Sequence, residues 1–153
     1  MQSFLKTLTS ESKNVKLPEE FNYFGKLIGS WEIDYIDTSS CHSIKGEWHF
    51  SWVLDGMAIQ DVIILPEYEF GTTLRVYNPV TRAWDIAYGY TGRIMRFEAR
   101  KQDDIIVLTS LEDERRKWVF AKIEDNNFHW QDVIVKDDGN WHINYDLYAR
   151  RIG

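Results

Sequence analysis

Residues 46–64 read GEWHFSWVLDGMAIQDVII, two alternating runs on either side of Asp55-Gly56. Asp-Gly supplies the positive φ angles of a type I′ turn, so the runs form a hairpin whose pairing can be counted outward from that turn. Leu54 then faces Met57, Trp52 faces Ile59, Phe50 faces Asp61 and Trp48 faces Ile63. One face is bulky, with Trp48, Phe50 and Trp52, whereas the other carries Lys45, Glu47, His49, Ser51 and Gln60. The aromatic face is expected inward, and Asp61 goes with it. A slip of one residue would turn every side chain to the opposite face, so the assignment depends on the turn.

A second Asp-Gly at 138–139 repeats the pattern. Read as a two-residue loop, it sets Lys136 opposite Trp141, Ile134 opposite Ile143, Asp132 opposite Tyr145 and Trp130 opposite Leu147. Asp132 shares the bulky face with Phe128 and Trp130, while His129, Gln131, His142, Asn144 and Asp146 take the lighter one. Around Asn78-Pro79 the same counting aligns Tyr77 with Trp84, Arg75 with Ile86 and Thr73 with Tyr88, which turns Arg75 inward. The strand carrying Trp118 and Phe120 has two possible facings, because two- and three-residue versions of the turn at 125–127 give opposite answers.

Working outward, turn signals separate ten strands, near 30–37, 44–54, 57–65, 71–77, 83–90, 93–101, 104–111, 116–124, 127–136 and 141–150. Their connections are too short for crossover helices, which predicts an all-β antiparallel meander closed into a barrel or folded into a sandwich. Helices are expected only before residue 30. Phe4, Leu5 and Leu8 make a short apolar stripe, and Pro18 opens a second segment that runs through Glu19, Glu20, Phe21 and Phe24 to Gly29. We expect one domain over 1–153, with a helical segment at 1–29 and a barrel at 30–150.

Composition excludes several function classes. With 153 residues, 15% aromatics and seven Trp, the chain can build a real core and is no disordered segment. A net charge of −6 disfavours nonspecific binding to nucleic acid or anionic membrane. Cys41 is the lone cysteine and has no intrachain partner, so a reducing, cytoplasmic setting is expected. Lys6, Thr7, Thr9, Ser10 and Glu11 interrupt any signal-peptide core, and no run approaches the ~20 apolar residues of a membrane span.

An inward Asp61, Asp132 and Arg75 form the sharpest chemical constellation. Arg75 could fork onto a ligand carboxylate while an aspartate accepts from a hydroxyl or amine. A carboxyl desolvated among aromatics has its pKa raised, so Asp61 or Asp132 could also shuttle a proton. The plain alternative is a structural ion pair, or an aspartate at a wet rim. Tyr77, Tyr88 and Tyr145 share the expected interior, where their hydroxyls line a pocket or satisfy Asp132 and Arg75. Trp48, Phe50, Trp52, Trp84 and Trp130 line a cavity or pack a core, and a ten-strand barrel is wider than side chains alone readily fill.

Other chemistry is poorly supported. His49, His129 and His142 fall on the expected outer faces and His42 in a loop, so no metal ligands converge. Cys41 has no paired base, and no nucleophile elbow, phosphate loop or dinucleotide fingerprint occurs. No metal or cofactor is expected. Arg115, Arg116 and Lys117 follow Glu112, Asp113 and Glu114 and read as a solvated turn of mixed charge. Val62, Ile64, Leu74, Val76, Val133 and Val135 make the outer face apolar, which suggests cover by the N-terminal helix or by a second subunit in a two-fold homodimer.

Several motifs carry a family likeness. Phe24 to Trp31, a Gly-x-Trp entering the first strand, resembles the opening motif of the calycin superfamily. Gly46 to Val62, with Gly71 to Pro79 and Asp138 to Trp141, is similar to a family of small, uncharacterised bacterial lipocalin-like proteins over residues 21–150. The resemblance implies a calycin-type barrel in the cytoplasm, with no established activity and no catalytic residues to transfer. Fatty-acid-binding relatives hold a carboxylate through Arg-x-Tyr on the last strand, but here that strand ends in the reverse order at Tyr148 and Arg150. Nitrobindin-like relatives bind haem through an inward histidine, which the expected facing of His49, His129 and His142 disfavours.

Three functions follow from these expectations. The leading one is binding or carriage of a small, largely apolar or aromatic molecule, its polar groups held by Asp61, Arg75 and Asp132. A metal-independent isomerase or cyclase using Asp61 or Asp132 as acid and base is the second, and a structural or interaction protein with a filled barrel is the third. Both ligand readings call for an interior cavity of roughly 300 Å³ or more.

Overall fold

The computed structural model describes residues 2–153. A short helix, α1 (Gln2–Leu8), leads into a two-residue strand, β1 (Thr9–Ser10). Ten longer strands follow: β2 (Gly29–Asp37), β3 (Ser43–Val53), β4 (Ala58–Leu65), β5 (Glu69–Asn78), β6 (Ala83–Tyr90), β7 (Arg93–Gln102), β8 (Ile105–Ser110), β9 (Arg116–Ile123), β10 (Asn127–Val135) and β11 (Trp141–Arg151). Each pairs antiparallel with the next, and β11 returns to β2, so the ten close into a barrel to which β1 adds along β3. Closure leaves no free edge among the ten.

The Asp55-Gly56 turn fixes the first hairpin in the expected register. Met57 donates its amide to the Leu54 carbonyl, Asp55 and Gly56 have φ of 55° and 80°, and Phe50 lies opposite Asp61. Only glycine fits at 56 for a second reason. A Cβ there would meet the Ser12 carbonyl oxygen and the Asn14 amide, because the chain entering the barrel runs across the turn. The pairs Tyr77–Trp84, Arg75–Ile86 and Thr73–Tyr88 are also those counted from the sequence.

The second hairpin corrects the expected turn while preserving the position of Asp132. Its loop has three residues, Asp137 to Gly139, with Lys136 bonded to Asn140 and Gly139 at φ 84°. Ile134 therefore lies opposite His142 instead of Ile143, and Trp141 opposite Val135 instead of Lys136. A bulge at Asn144 then restores the count, so Asp132 faces Tyr145 and Trp130 faces Leu147. A second bulge settles the open strand. The 125–127 turn pairs Phe128 with Ile123, but the register shifts before Trp130, which brings Phe120 opposite Trp130 and Trp118 opposite Asp132. Trp118 and Phe120 thereby join the interior.

The second N-terminal helix is replaced by two single 3₁₀ turns, Glu19–Phe21 and Gly25–Leu27. Asn22 and Gly25 are weak helix formers, and residues 22–24 break the two turns apart, with Phe24 and Leu27 buried on one side. That side plugs one end of the barrel. Leu17, Phe24 and Leu27 are fully buried, Trp84 Nε1 donates to the Phe21 carbonyl, and Trp31 Nε1 donates to that of Leu27. The helix α1 adjoins β1 and leaves the outer face of β4 and β5 uncovered, with Val62 43% and Leu74 39% exposed. Val133, by contrast, is fully buried between Lys117 and Ile143. No helix among the described residues is long and apolar enough to cross a membrane.

Candidate functional site

Ten strands running up and down give the barrel two ends. The one reached by the turns after Val53, Asn78, Gln102 and Ile123 holds the N-terminal plug. Opposite it, the loops after β2, β4, β6, β8 and β10 surround a cavity of about 220 Å³. This volume falls short of the roughly 300 Å³ that both ligand readings call for, which counts against any ligand of that size; a smaller apolar cavity of roughly 150 Å³ can still hold benzene. One aromatic ring is the size that fits.

Between plug and cavity lies the first aspartate. Asp61, on β4, accepts from Arg75 Nη1 at 2.5 Å and from the Thr73 amide at 3.2 Å, and the side chains of Asp61 and Arg75 are 0% and 2% exposed. Alternation along β4 and β5 turns both inward. The Arg75 guanidinium also lies 5.3–5.9 Å from the ring centres of Phe24, Phe50 and Phe120, where cation–π attraction offsets part of its desolvation. Arg75 and Thr73 form part of the cavity wall and Asp61 does not.

The second aspartate reaches the cavity itself. Asp132 accepts a forked pair from Arg116 Nη1, 3.0 and 3.1 Å from its two oxygens, with the side chains 11% and 34% exposed. Burial pushes the Asp132 carboxyl up to about 6, against the opposing pull of Arg116. Arg75 is thus the counter-charge of one aspartate only. Arg116, expected in a solvated turn, is the partner of the other because the bulge beside Trp130 carries its strand around to face inward.

Tyrosines dominate the rim. Tyr35 and Tyr145 stack at 4.7 Å with 7° between their planes, Tyr88 and Tyr90 stack at 5.4 Å, and Tyr88 meets Trp118 edge-on at 5.3 Å. Tyr88 donates its hydroxyl to Glu69. Its ring lies over Gly71, where a Cβ would collide with it. Burial raises the phenol pKa of Tyr35 and of Tyr88, the latter helped by Glu69, and burial with a Tyr145 hydrogen bond pushes Tyr68 up to about 12. These groups stay neutral over the physiological range.

Of the residues singled out from the sequence, Trp48, Arg75, Tyr88, Trp130, Asp132 and Tyr145 meet at the cavity. Phe50, Trp52, Tyr77 and Trp84 are buried nearer the plug and pack the core, with Asp61 beneath Arg75. Tyr35, Tyr68, Glu69, Tyr90, Arg93, Arg116 and Trp118 also form the wall and were not singled out. For Tyr35, Tyr90 and Arg93 the signal is inward parity at a strand end, since Tyr35 follows Trp31 and Ile33, Tyr90 follows Tyr88, and Arg93 precedes Met95 and Phe97; Tyr68 lies in the turn between β4 and β5, and Arg116 and Trp118 lie past a bulge.

The histidines remain outside the barrel. His49 bridges Ser30 and Glu47, each at 2.8 Å, while His129 contacts Asp146 at 2.7 Å and stacks on Tyr148. No group of three possible metal ligands converges among the described residues.

No family model and no curated protein matches the chain. Among solved structures, a redesigned beta barrel is similar over 84% of this chain and 93% of that chain, with 13% identity and a TM-score of 0.38.

Proposed function

We propose that the protein binds or carries a small aromatic molecule of about one ring at the open end of a calycin-type barrel. The observation that carries this reading is the cavity of about 220 Å³ walled by Tyr35, Trp48, Trp118 and Trp130, above an end sealed by Phe24 and Leu27. Aromatic walls favour a flat apolar ligand, and the few polar groups among them would fix its orientation. The small volume restricts the ligand more tightly than composition did.

The test titrates phenol into the full chain and follows the indole N–H resonances of Trp48, Trp118 and Trp130. Saturable shifts are expected in wild type and not in Met95→Trp, which fills the cavity. Absence of saturable shifts in wild type would overturn the proposal. A compound retained from expression and visible by native mass spectrometry would give the ligand directly.

A second reading rests on Asp132. A carboxyl with a pKa near 6 facing an aromatic cavity has the form of a general acid or base for an isomerisation. Turnover of a bound compound, abolished in Asp132→Asn while binding persists, would favour this enzyme over a carrier.

A further inference from the structure

At the floor of the cavity two polar atoms are neither bonded nor sealed. The carboxylates around it are served: Asp61 takes Arg75 Nη1 and the Thr73 amide, Asp132 takes Arg116, and Glu69 takes the Tyr88 hydroxyl. Trp48 Nε1, Trp118 Nε1 and Arg75 Nε have no partner among the described residues, but they are closed off from free space and reach no ligand. Arg75 Nη2 and Thr73 Oγ1 differ. Neither has a hydrogen-bond partner among the described residues, neither is closed off, and both residues form part of the cavity wall.

Thr73 and Arg75 are successive inward residues of β5, each 2% exposed, so the surface left at Oγ1 and Nη2 opens on the cavity and not on bulk solvent. Asp61 gathers the two residues, one carboxylate oxygen taking the Thr73 amide and the other taking Arg75 Nη1. A guanidinium nitrogen only donates, whereas a hydroxyl donates or accepts, so Nη2 calls for an acceptor and Oγ1 can complete it. Charge decides which acceptor fits. Asp61 at 2.5 Å matches the Arg75 charge, so the floor offers a donor without net charge. A ligand carboxylate there would lie desolvated beside the Asp61 carboxylate, with one guanidinium between them. A protonated amine would bring a cation and further donors to the guanidinium edge.

We propose that Arg75 Nη2 and Thr73 Oγ1 form an oxygen-binding subsite at the cavity floor, and that the ligand is a neutral single-ring molecule carrying an oxygen at its inner end, of which a phenol is the plainest case. The phenol oxygen accepts from Nη2 and its hydrogen goes to Oγ1, while the ring lies above, among Trp48, Trp118 and Trp130. The fork onto a ligand carboxylate that the sequence allows Arg75 is closed, because Nη1 is already on Asp61. This assignment rests on the aromatic-binding reading above and names the inner end of its ligand.

Calorimetry on the full chain at pH 7 tests it with three single-ring probes: phenol, toluene and benzoate. Toluene is the most apolar, so a cavity without a polar floor would favour it. Wild type is expected to bind phenol at least as tightly as toluene, and benzoate about tenfold more weakly than phenol. Asp61→Leu with Arg75→Met removes the pair without leaving a buried charge, and should shift the phenol-to-toluene ratio about tenfold or more toward toluene, the worth of one hydrogen bond from a charged donor. Thr73→Val keeps the side-chain shape and should shift the same ratio by less. Should the paired variant fail to fold, the guanidinium N–H resonances of Arg75 give the reading in wild type: they are expected to move on saturation with phenol and not with toluene. If they respond alike to both probes, or if the paired variant folds and keeps the wild-type ratio, the subsite is overturned and aromatic binding stands. Benzoate binding as tightly as phenol overturns the neutral-oxygen assignment. If none of the three binds, the assignment falls together with the reading beneath it.

Discussion

Asp61 and Asp132 occupy similar places in two hairpins, each carried inward on an aromatic strand, and they have become different groups. Asp61 shares a dry compartment with Arg75, receives a backbone amide as well, and lies where three phenylalanine rings face the guanidinium. Asp132 has Arg116 alone, partly in water, and its carboxyl is held near 6. Depth along the barrel separates them. Near the plug the carboxylate is held by a guanidinium and a backbone amide in a dry compartment, whereas at the rim burial beside a single partner raises the Asp132 pKa.

The largest effect should come from breaking the deep pair. Asp61→Ala leaves the Arg75 charge buried and unmatched, with an expected loss of roughly 3 to 5 kcal/mol in urea unfolding. Replacing Asp61 and Arg75 together by apolar residues of similar volume should recover most of that loss. If the single and double variants are equally unstable, packing rather than charge governs this compartment.

Asp132 should reveal itself through pH. An unfolded aspartate titrates near 3.9, below the folded value of about 6. The folded state therefore holds the proton more tightly, and the resulting stabilisation is complete below about pH 4 and lost as pH rises through 6. Between pH 4 and 7 wild type should lose on the order of 2 kcal/mol that Asp132→Asn keeps. Parallel stability profiles for the two proteins would place Asp132 with Asp61 as a structural charge. Arg116, Arg93 and Glu69 are the other charged groups of the rim, and the Asn variant isolates Asp132 from them.

The smallest effect separates the hairpins themselves. Gly139 has φ 84° with nothing within 4 Å of a new Cβ, so Gly139→Ala should cost about 1 kcal/mol of backbone strain alone. Gly56→Ala should cost more by thermal unfolding, because its Cβ would also strike the segment at 12–14.

How much of this could be counted from the chain depended on the strands between turns. Leu54 to Met57 and the flanks of Asn78 fixed Asp61, Arg75, Tyr77 and Trp84, because no bulge lies in those ladders. Beyond a bulge, alternation gives a wrong partner. Arg116 and Trp118 sit past such a shift, and nothing in their local pattern distinguishes an inward arginine from one in a solvated turn. The cavity was less legible for another reason. Whether aromatics leave space depends on which end the plug fills, and the 3₁₀ turns that place Phe24 and Leu27 carry no strand periodicity.

The bulge at Asn144 also bears on insertions and deletions. The pairs at the loop end of β10–β11 and those lower in the barrel differ in count by this one residue. A chain lacking it could keep Asp132 opposite Tyr145 and Val133 opposite Ile143 in an unbroken ladder. The freed carbonyls at 143 and 144 now accept from Thr38, so Asn144 ties the loop after β2 to the rim. Its removal would therefore alter the length and attachment of one loop and leave the facing of the barrel unchanged.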